Sequence, residues 1–517
     1  MAAEAKNLRD RGWTAEEVAR TEALRAASAP PLGVGTHLSY GFGAVAFGVK
    51  NSAFGSYLLL YYNQVLGVPA AIVSTALAAT LIIDALVDPL LGRWSDVTRT
   101  RWGRRHPFIY AAALPTAQFF LLAWWPPSGM TNLQTGVWIF ATAALTRVSI
   151  SAFEINTSSM VPELTNNYSE RTALFSLRYW FGYAGAYGFA AFSLAFLFVE
   201  TPEYPRGQLN PAGYVSFSIA GALLIFLAIL VCGLGTHNRI PFLRQADARE
   251  ERTSIATHLK EMFAAFRNRG FLAIFGFGVC KYSAIGLYSA MTLYFSTYLF
   301  RLNSMQLALL TFDSLVAATL AAPLAPWFSR NLGKRASSMI FAVLGIVIGL
   351  SPFLLSLLDM FFRRGDPRLV PTLFIIGAVY GAMIAVSLIN TSSMLADVVD
   401  DSAVETGRHS AGTFFSASSF MQQCSTGVGI LLAGLILSWS KFPERADPAA
   451  VPEAAIDSLL IHYIPTILGL WSIGALFLLF YPVDRARHER NLEVLRSRQA
   501  QALAVATADA ALGAPAR

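Results

Sequence analysis

Twelve apolar segments, each long enough to cross a bilayer, recur along this 517-residue chain. They run over about 36–62, 69–95, 106–126, 133–161, 171–199, 212–235, 271–299, 304–328, 336–361, 369–397, 410–438 and 459–482. A helix needs about 20 apolar residues to span the hydrocarbon, and it satisfies its own backbone polar groups while doing so. Composition agrees: charged residues are 14% and hydrophobic residues 55%, against roughly 25% charged in an average soluble chain. That balance excludes a soluble globule, a disordered chain, a coiled coil and a disulfide scaffold. The expected fold is an all-α polytopic membrane protein with twelve transmembrane helices.

The longest polar interruption, 236–270, divides the segments six and six. The organisation read from it is a polar segment 1–35, a six-helix half 36–235, a central loop 236–270, a second six-helix half 271–482 and a tail 483–517. Thr14-Ala15-Glu16-Glu17 reads as a capping box opening a short surface helix, and no secretory signal is visible before it. Residues 257–263 read as an amphipathic helix along the membrane surface. The positive-inside rule orients the whole. With a cytoplasmic N-terminus, 27 of the 39 Lys and Arg fall on inside segments, 7 on outside loops and 5 within spans. Both termini are therefore expected in the cytoplasm, with the protein multi-pass in the inner (cytoplasmic) membrane. The net charge of +7 lies between apolar stretches, so it does not describe a nucleic-acid surface. Cys232, Cys280 and Cys424 all fall in apolar stretches and read as packing residues.

Ile155-Asn156-Thr157-Ser158-Ser159-Met160 in span four recurs as Ile389-Asn390-Thr391-Ser392-Ser393-Met394 in span ten, 234 residues on. Gly103-Arg104-Arg105 after span two is echoed by Gly333-Lys334-Arg335 after span eight, 230 residues on. Two matches at nearly one offset make the second half a parallel repeat of the first, the plan of a major-facilitator transporter with a cavity between two pseudo-symmetric halves.

The run Asp84-Ala85-Leu86-Val87-Asp88-Pro89-Leu90-Leu91-Gly92-Arg93-Trp94-Ser95-Asp96, then Arg99-Thr100-Arg101-Trp102-Gly103-Arg104-Arg105-His106-Pro107-Phe108, carries a specific likeness. It resembles the glycoside–pentoside–hexuronide:cation symporter family, the melibiose-carrier branch of the major facilitator superfamily. Ser39-Tyr40-Gly41-Phe42-Gly43, Glu154 eight residues before Pro162, and Glu405-Thr406-Gly407-Arg408 extend the resemblance over about residues 36–482. The resemblance implies symport of a sugar with H⁺, Na⁺ or Li⁺ by alternating access. It implies Asp84 and Asp88 as cation-site acids, Glu154 as an acid shared by cation and sugar sites, Ser151 as a hydroxyl ligand and Arg178 as a sugar-contacting residue. Three departures argue against a galactoside. Span one has no acid and offers Lys50 and Asn51; Ser158 stands where melibiose carriers place Trp; Gln422 and Gln423 stand where they carry Lys.

The residues support a functional reading independently. A charge at the bilayer centre costs a few kcal/mol, so deep charges are candidates by default. Asp84 and Asp88 are four apart, on one helical face. Two close carboxylates repel, so one keeps its proton, a cation sits between them, or neighbouring Arg and Lys pair with them. Arg147, Ser151 and Glu154 share a face of span four; Glu154 either pairs with Arg147 or Arg178 or accepts sugar hydroxyls, which carboxylate and guanidinium groups bind well. Lys50, Phe54, Tyr57 and Tyr61 form a stripe that either stacks on a sugar or packs between helices. Lys281 and Asp313, the deep charges of the second half, are expected to pair. Asp96 with Arg104 and Arg105, facing Asp397, Asp400, Asp401, Glu405 and Arg408 in the matching loop, is expected to gate the inner mouth.

The candidate substrate residues are thus Lys50, Asn51, Tyr57, Arg147, Glu154, Arg178 and Gln422. The expected function is cation-coupled symport of a sugar or glycoside by a monomer, with no metal or other cofactor. The alternative is a same-fold carrier of an amphipathic, lipid-like substrate. An apolar cleft open sideways to lipid would favour that alternative, and a polar, aromatic-lined pocket would favour a sugar. The seven histidines show no paired metal spacing, and no phosphate loop or nucleophile motif is present, which argues against an enzyme.

Overall fold

The computed structural model describes residues 30–165, 167–243, 266, 268–406, 411–484, 486–491, 493–495 and 497. The surface helices expected at 14–17 and 257–263, and the gating residue Arg408, lie outside them. Twelve helical spans are present among the described residues, and no strand. Spans two, three and four are Ala70–Val97, His106–Ala123 and Asn132–Leu164. Span six is Pro211–Thr236, and spans nine to twelve are Lys334–Leu357, Leu369–Thr406, Ala411–Trp439 and Glu453–Leu479. Ten of the twelve are long and apolar enough to cross a membrane by composition alone. The others are span three, whose 18 residues include His106, Pro107, Pro115 and Gln118, and span one, diluted by Lys50, Asn51, Asn63 and Gln64.

Spans one, five, seven and eight are irregular. Span one runs Val34–Phe42 and Ala44–Ser52, then alternates π-helical turns (Ala53–Tyr57, Tyr61–Val65) with the short Leu58–Leu60. Span five runs Tyr168–Tyr183 and continues through π turns at Ala184–Gly188 and Ser193–Leu197. Span seven, Arg269–Tyr294, ends in a π turn at Phe295–Leu299. Span eight breaks between Ser304–Leu310 and Asp313–Leu332. Each π turn inserts a residue and resets the helical phase, and such turns concentrate at functional sites. Spans one and five pack backbone to backbone: a Cβ on Gly185 would lie 2.7 Å from the Val45 Cα. Only glycine permits that approach.

Asp397, Asp400 and Asp401 lie on the last turns of span ten, which runs on to Thr406, and not in a loop as expected. Glu405 closes the same helix. At the face carrying the Arg99–Arg105 loop (the basic face), each half holds its own charge network. Arg104 bonds Glu163 at 2.7 Å; Arg105 reaches Asp96 at 2.8 Å and Ser95 at 2.7 Å. In the second half Lys334 bonds Asp397 at 2.7 Å and Arg487 bonds Asp401 at 2.7 Å. The sequence offsets carry Arg104 onto Lys334 and Glu163 onto Asp397, so the repeat extends to a conserved-geometry ion pair in each half. Among the described residues no bridge joins Asp96 or the arginines to Asp397 or Asp401; these two acids are engaged within their own half.

The opposite, far face joins the halves. The Tyr298 hydroxyl donates to Gln64 Oε1 (2.8 Å), as does the Ala446 N–H (3.0 Å), while Gln64 Nε2 donates to the Pro443 carbonyl (3.1 Å). Tyr294 donates to Asn63 Oδ1 (3.0 Å), Gln208 to Thr297 (3.1 Å), and Arg445 to the Leu66 carbonyl (2.7 Å). The molecule is therefore clasped at its far face.

Candidate functional site

Two neighbouring features sit between these faces: a charge cluster on spans one, two, four and five, and a cavity between the halves. In the cluster, Asp84 is 6% exposed and Arg147 7%, so their state depends on partners rather than on water. Arg147 Nη1 lies 3.3 Å from Asp84 Oδ2, and its Nε donates to Thr80 Oγ1 at 3.1 Å. Ser151 donates to the other Asp84 oxygen at 2.9 Å. Asp84 is thus fully engaged within its half. Helical phase explains the convergence: Thr80, Asp84 and Asp88 recur every four residues on span two, and Arg147, Ser151 and Glu154 follow at steps of four and three on span four.

Asp88 differs. Its Oδ2 accepts from Gln423 Nε2 of span eleven at 2.7 Å, so the bond crosses between halves. Asp88 Oδ1 and Gln423 Oε1 are both buried acceptors without a partner among the described residues. Gln422, the candidate substrate residue of span eleven, lies on its exposed face and is not among the residues lining the cavity, while its neighbour Gln423 makes the contact to Asp88.

Glu154 pairs with Arg178 of span five rather than with Arg147. Arg178 also donates to Thr157 Oγ1 at 2.9 Å and lies 3.4 Å from the Tyr40 hydroxyl. Lys50, 2% exposed, lies within electrostatic reach of Arg147, Asp84, Glu154 and Asp88 and holds its ammonium 4.9 Å from the Phe47 ring. The repeat motif serves two different ends: Thr157 receives Arg178, whereas Thr391 and Asn390 bond Ser338 (3.1 Å) and Ser337 (2.7 Å) of span nine.

The cavity measures about 550 Å³, within the roughly 300–1,000 Å³ of small-molecule sites. Spans one, five, seven, eight, nine and ten line it. Asn51 and Tyr57 are on its wall, as expected from sequence; Lys50, Arg147, Glu154 and Arg178 are not among its lining residues. The span-one stripe is split by the π turns. Phe54 stacks on Phe120 with centroids 5.8 Å apart, and the Tyr61 hydroxyl donates to the Trp124 carbonyl at 2.8 Å. These two pack the first half, and Tyr57 alone of the stripe's rings lines the cavity. Lys281 and Asp313, expected to pair, do not. Lys281 lies over the rings of Phe277 (5.2 Å) and Tyr282 (4.5 Å), while Asp313 accepts from Ser314 at 2.9 Å. The sequence reading also passed over Glu163 and the far-face Gln64; the repeat offset pointing from Asp397 to Glu163 was the available signal for the first.

A two-half bundle of twelve helices, clasped at one face, with buried charges beside a cavity between its halves, defines a transporter of the major-facilitator kind. The chain belongs to the family of MFS/sugar transport proteins, whose pattern it matches over residues 39–485. Similar proteins include the isoprimeverose transporter of Lactiplantibacillus pentosus, 27% identical over 90% of this chain and 92% of that one. The glucuronide carrier protein homolog of Escherichia coli is 24% identical over 90% and 96%. Among solved structures, the inward-open xylose transporter XylE of E. coli superposes with a TM-score of 0.58 at 14% identity, covering 89% of this chain and 98% of that one. It shows the shared fold.

Proposed function

We propose that this protein is a cation-coupled symporter that carries a neutral sugar or glycoside across the cytoplasmic membrane by alternating access, working as a monomer with both termini in the cytoplasm. The observation that carries the reading is the Asp88–Gln423 contact. It joins the halves, and each residue holds a buried oxygen with no donor among the described residues. A proton on Asp88, or a hard monovalent cation beside these oxygens, would satisfy acceptors that are otherwise costly to bury. Ion loading would then alter a buried side-chain hydrogen bond between the closely packed spans two and eleven, which is how an ion can bias a two-state equilibrium.

The division of labour follows from the geometry. Arg147 and Ser151 hold Asp84, leaving Asp88 as the acid free to exchange its ion. The Glu154–Arg178 pair ties span four to span five. Span one connects cluster to cavity, because Lys50 turns to the acids and Asn51 to the cavity. The cavity wall carries serine, threonine and tyrosine hydroxyls together with aromatic faces, which suits hydroxyl-rich substrates with one apolar face. Most of the wall is apolar; the hydroxyls of Ser56, Ser289, Thr292 and Thr311 and the tyrosine rings set into it are what support a sugar over a lipid-like substrate. The clasped far face is the outer one in this reading, so the structure is inward-facing.

The test is uptake of a panel of radiolabelled glycosides into proteoliposomes under a proton gradient, a Na⁺ gradient or neither. At least one glycoside should accumulate above its external concentration, and only under a gradient. Absence of uptake for the whole panel, in protein that elutes as a folded monomer, overturns the reading.

A further inference from the structure

Asp313 is used by nothing described so far. It opens the second piece of span eight, where the break after Leu310 places its side chain at the first turn of Asp313–Leu332. One oxygen accepts from Ser314 at 2.9 Å. The other faces Gly377 of span ten so closely that a Cβ there would collide with the carboxylate. Among the described residues no basic side chain lies within ion-pair distance of it, and it is the only charged residue lining the cavity. Tyr187 and Tyr288 lie within electrostatic reach, and the Tyr288 and Tyr380 rings pack with centroids 5.2 Å apart.

A lone carboxylate on the wall of an aromatic-lined cavity has two consequences. It accepts hydrogen bonds from hydroxyl donors, and adjacent hydroxyls can engage both of its oxygens. It also repels any anion brought beside it, with no cation in the wall to compensate. We propose that Asp313 is the specificity-determining anchor of the substrate cavity, binding neutral glycosides through their hydroxyls and excluding glycosides that carry a carboxylate. The proposal rests on the neutral-sugar reading above and adds to it the residue that sets the substrate's charge class. Gly377 is part of the device, because its missing side chain leaves the space in which the carboxylate sits.

The experiment measures equilibrium binding to purified protein of the neutral glycoside that the wild type transports, and of the matching glucuronide with the same aglycone. The wild type should bind the neutral ligand at least about tenfold more tightly, the low end for one charge-assisted contact or one like-charge juxtaposition. In Asp313→Asn the neutral ligand should weaken by about tenfold and the preference over the glucuronide should shrink. Gly377→Ala, which keeps the charge but displaces the carboxylate, should weaken the neutral ligand while still rejecting the glucuronide. Equal wild-type affinities for the two ligands overturn the proposal even if a variant fails to fold. So does an unchanged preference in folded Asp313→Asn. Absence of binding by any neutral glycoside to the wild type overturns the sugar reading and this proposal together, an outcome distinct from the other two.

Discussion

Removing one side chain at the far face should shift the balance between the carrier's two states. Gln64 accepts from Tyr298 (2.8 Å) and from the Ala446 N–H (3.0 Å), and donates to the Pro443 carbonyl (3.1 Å). All three bonds run to the second half, and Gln64 is 5% exposed. When the far face opens, these groups meet water. At a net of about 0.5–1.5 kcal/mol each, the three together stabilise the clasped state by about 1.5–4.5 kcal/mol. Gln64→Leu keeps the volume and loses all three, so the equilibrium should move toward the far-face-open state by roughly 10- to 1,000-fold, at 1.4 kcal/mol per tenfold. The assay is the labelling rate of a single cysteine placed at Ser289 on the cavity wall, with the three native cysteines replaced, using an impermeant thiol reagent added at the far face. Labelling should be at least about tenfold faster in Gln64→Leu. Tyr298→Phe, which removes one of the three bonds, should show a smaller acceleration. Equal rates in wild type and Gln64→Leu would refute the idea that this network holds the far face shut.

Two further predictions concern buried charge. Arg104→Ala leaves Glu163 buried without its main partner; the guanidinium side chain is 6% exposed and the Glu163 side chain 8%. Arg105 still reaches Glu163 at 3.2 Å, so the loss stays below the cost of an abandoned buried charge, about 3–5 kcal/mol, whereas Lys334→Ala removes an ammonium side chain that is 30% exposed. Arg104→Ala should therefore lower the melting temperature more than Lys334→Ala, and the reverse order would show that burial of the cation does not set the cost of losing it. Lys281→Met should leave the melting temperature unchanged or raise it, because the 2%-exposed ammonium has no acidic partner among the described residues. A fall of several degrees would reveal a stabilising role that the geometry lacks.

The spans, the two halves and the acids of the cluster were legible in the sequence because they rest on length, spacing and repetition. Asp84 with Asp88 on span two, and Arg147 with Ser151 and Glu154 on span four, could be placed on common faces from helical periodicity alone. What periodicity could not supply was the phase of one helix against another. Gln422 and Gln423 differ by about 100° around span eleven, and only packing against span two selects Gln423. The π turns of span one shift phase within a single segment, so a stripe that looks continuous in sequence divides between the core of the first half and the cavity. Lys281 and Asp313 share a half, but the helix break that aims Asp313 into the cavity carries no strong marker: Thr311-Phe312 contains neither Pro nor Gly.

The central claim is that Asp88 couples an ion to transport, and Asp88→Asn tests it most directly. The amide retains an oxygen that can accept from Gln423 but can neither take up a proton nor offer a charge to a cation. Counterflow exchange and gradient-driven accumulation of the transported glycoside are measured on the same proteoliposomes. Exchange should persist while accumulation falls to the equilibrium level under every gradient. Accumulation above equilibrium in folded Asp88→Asn would contradict the account and move the coupling ion to another residue.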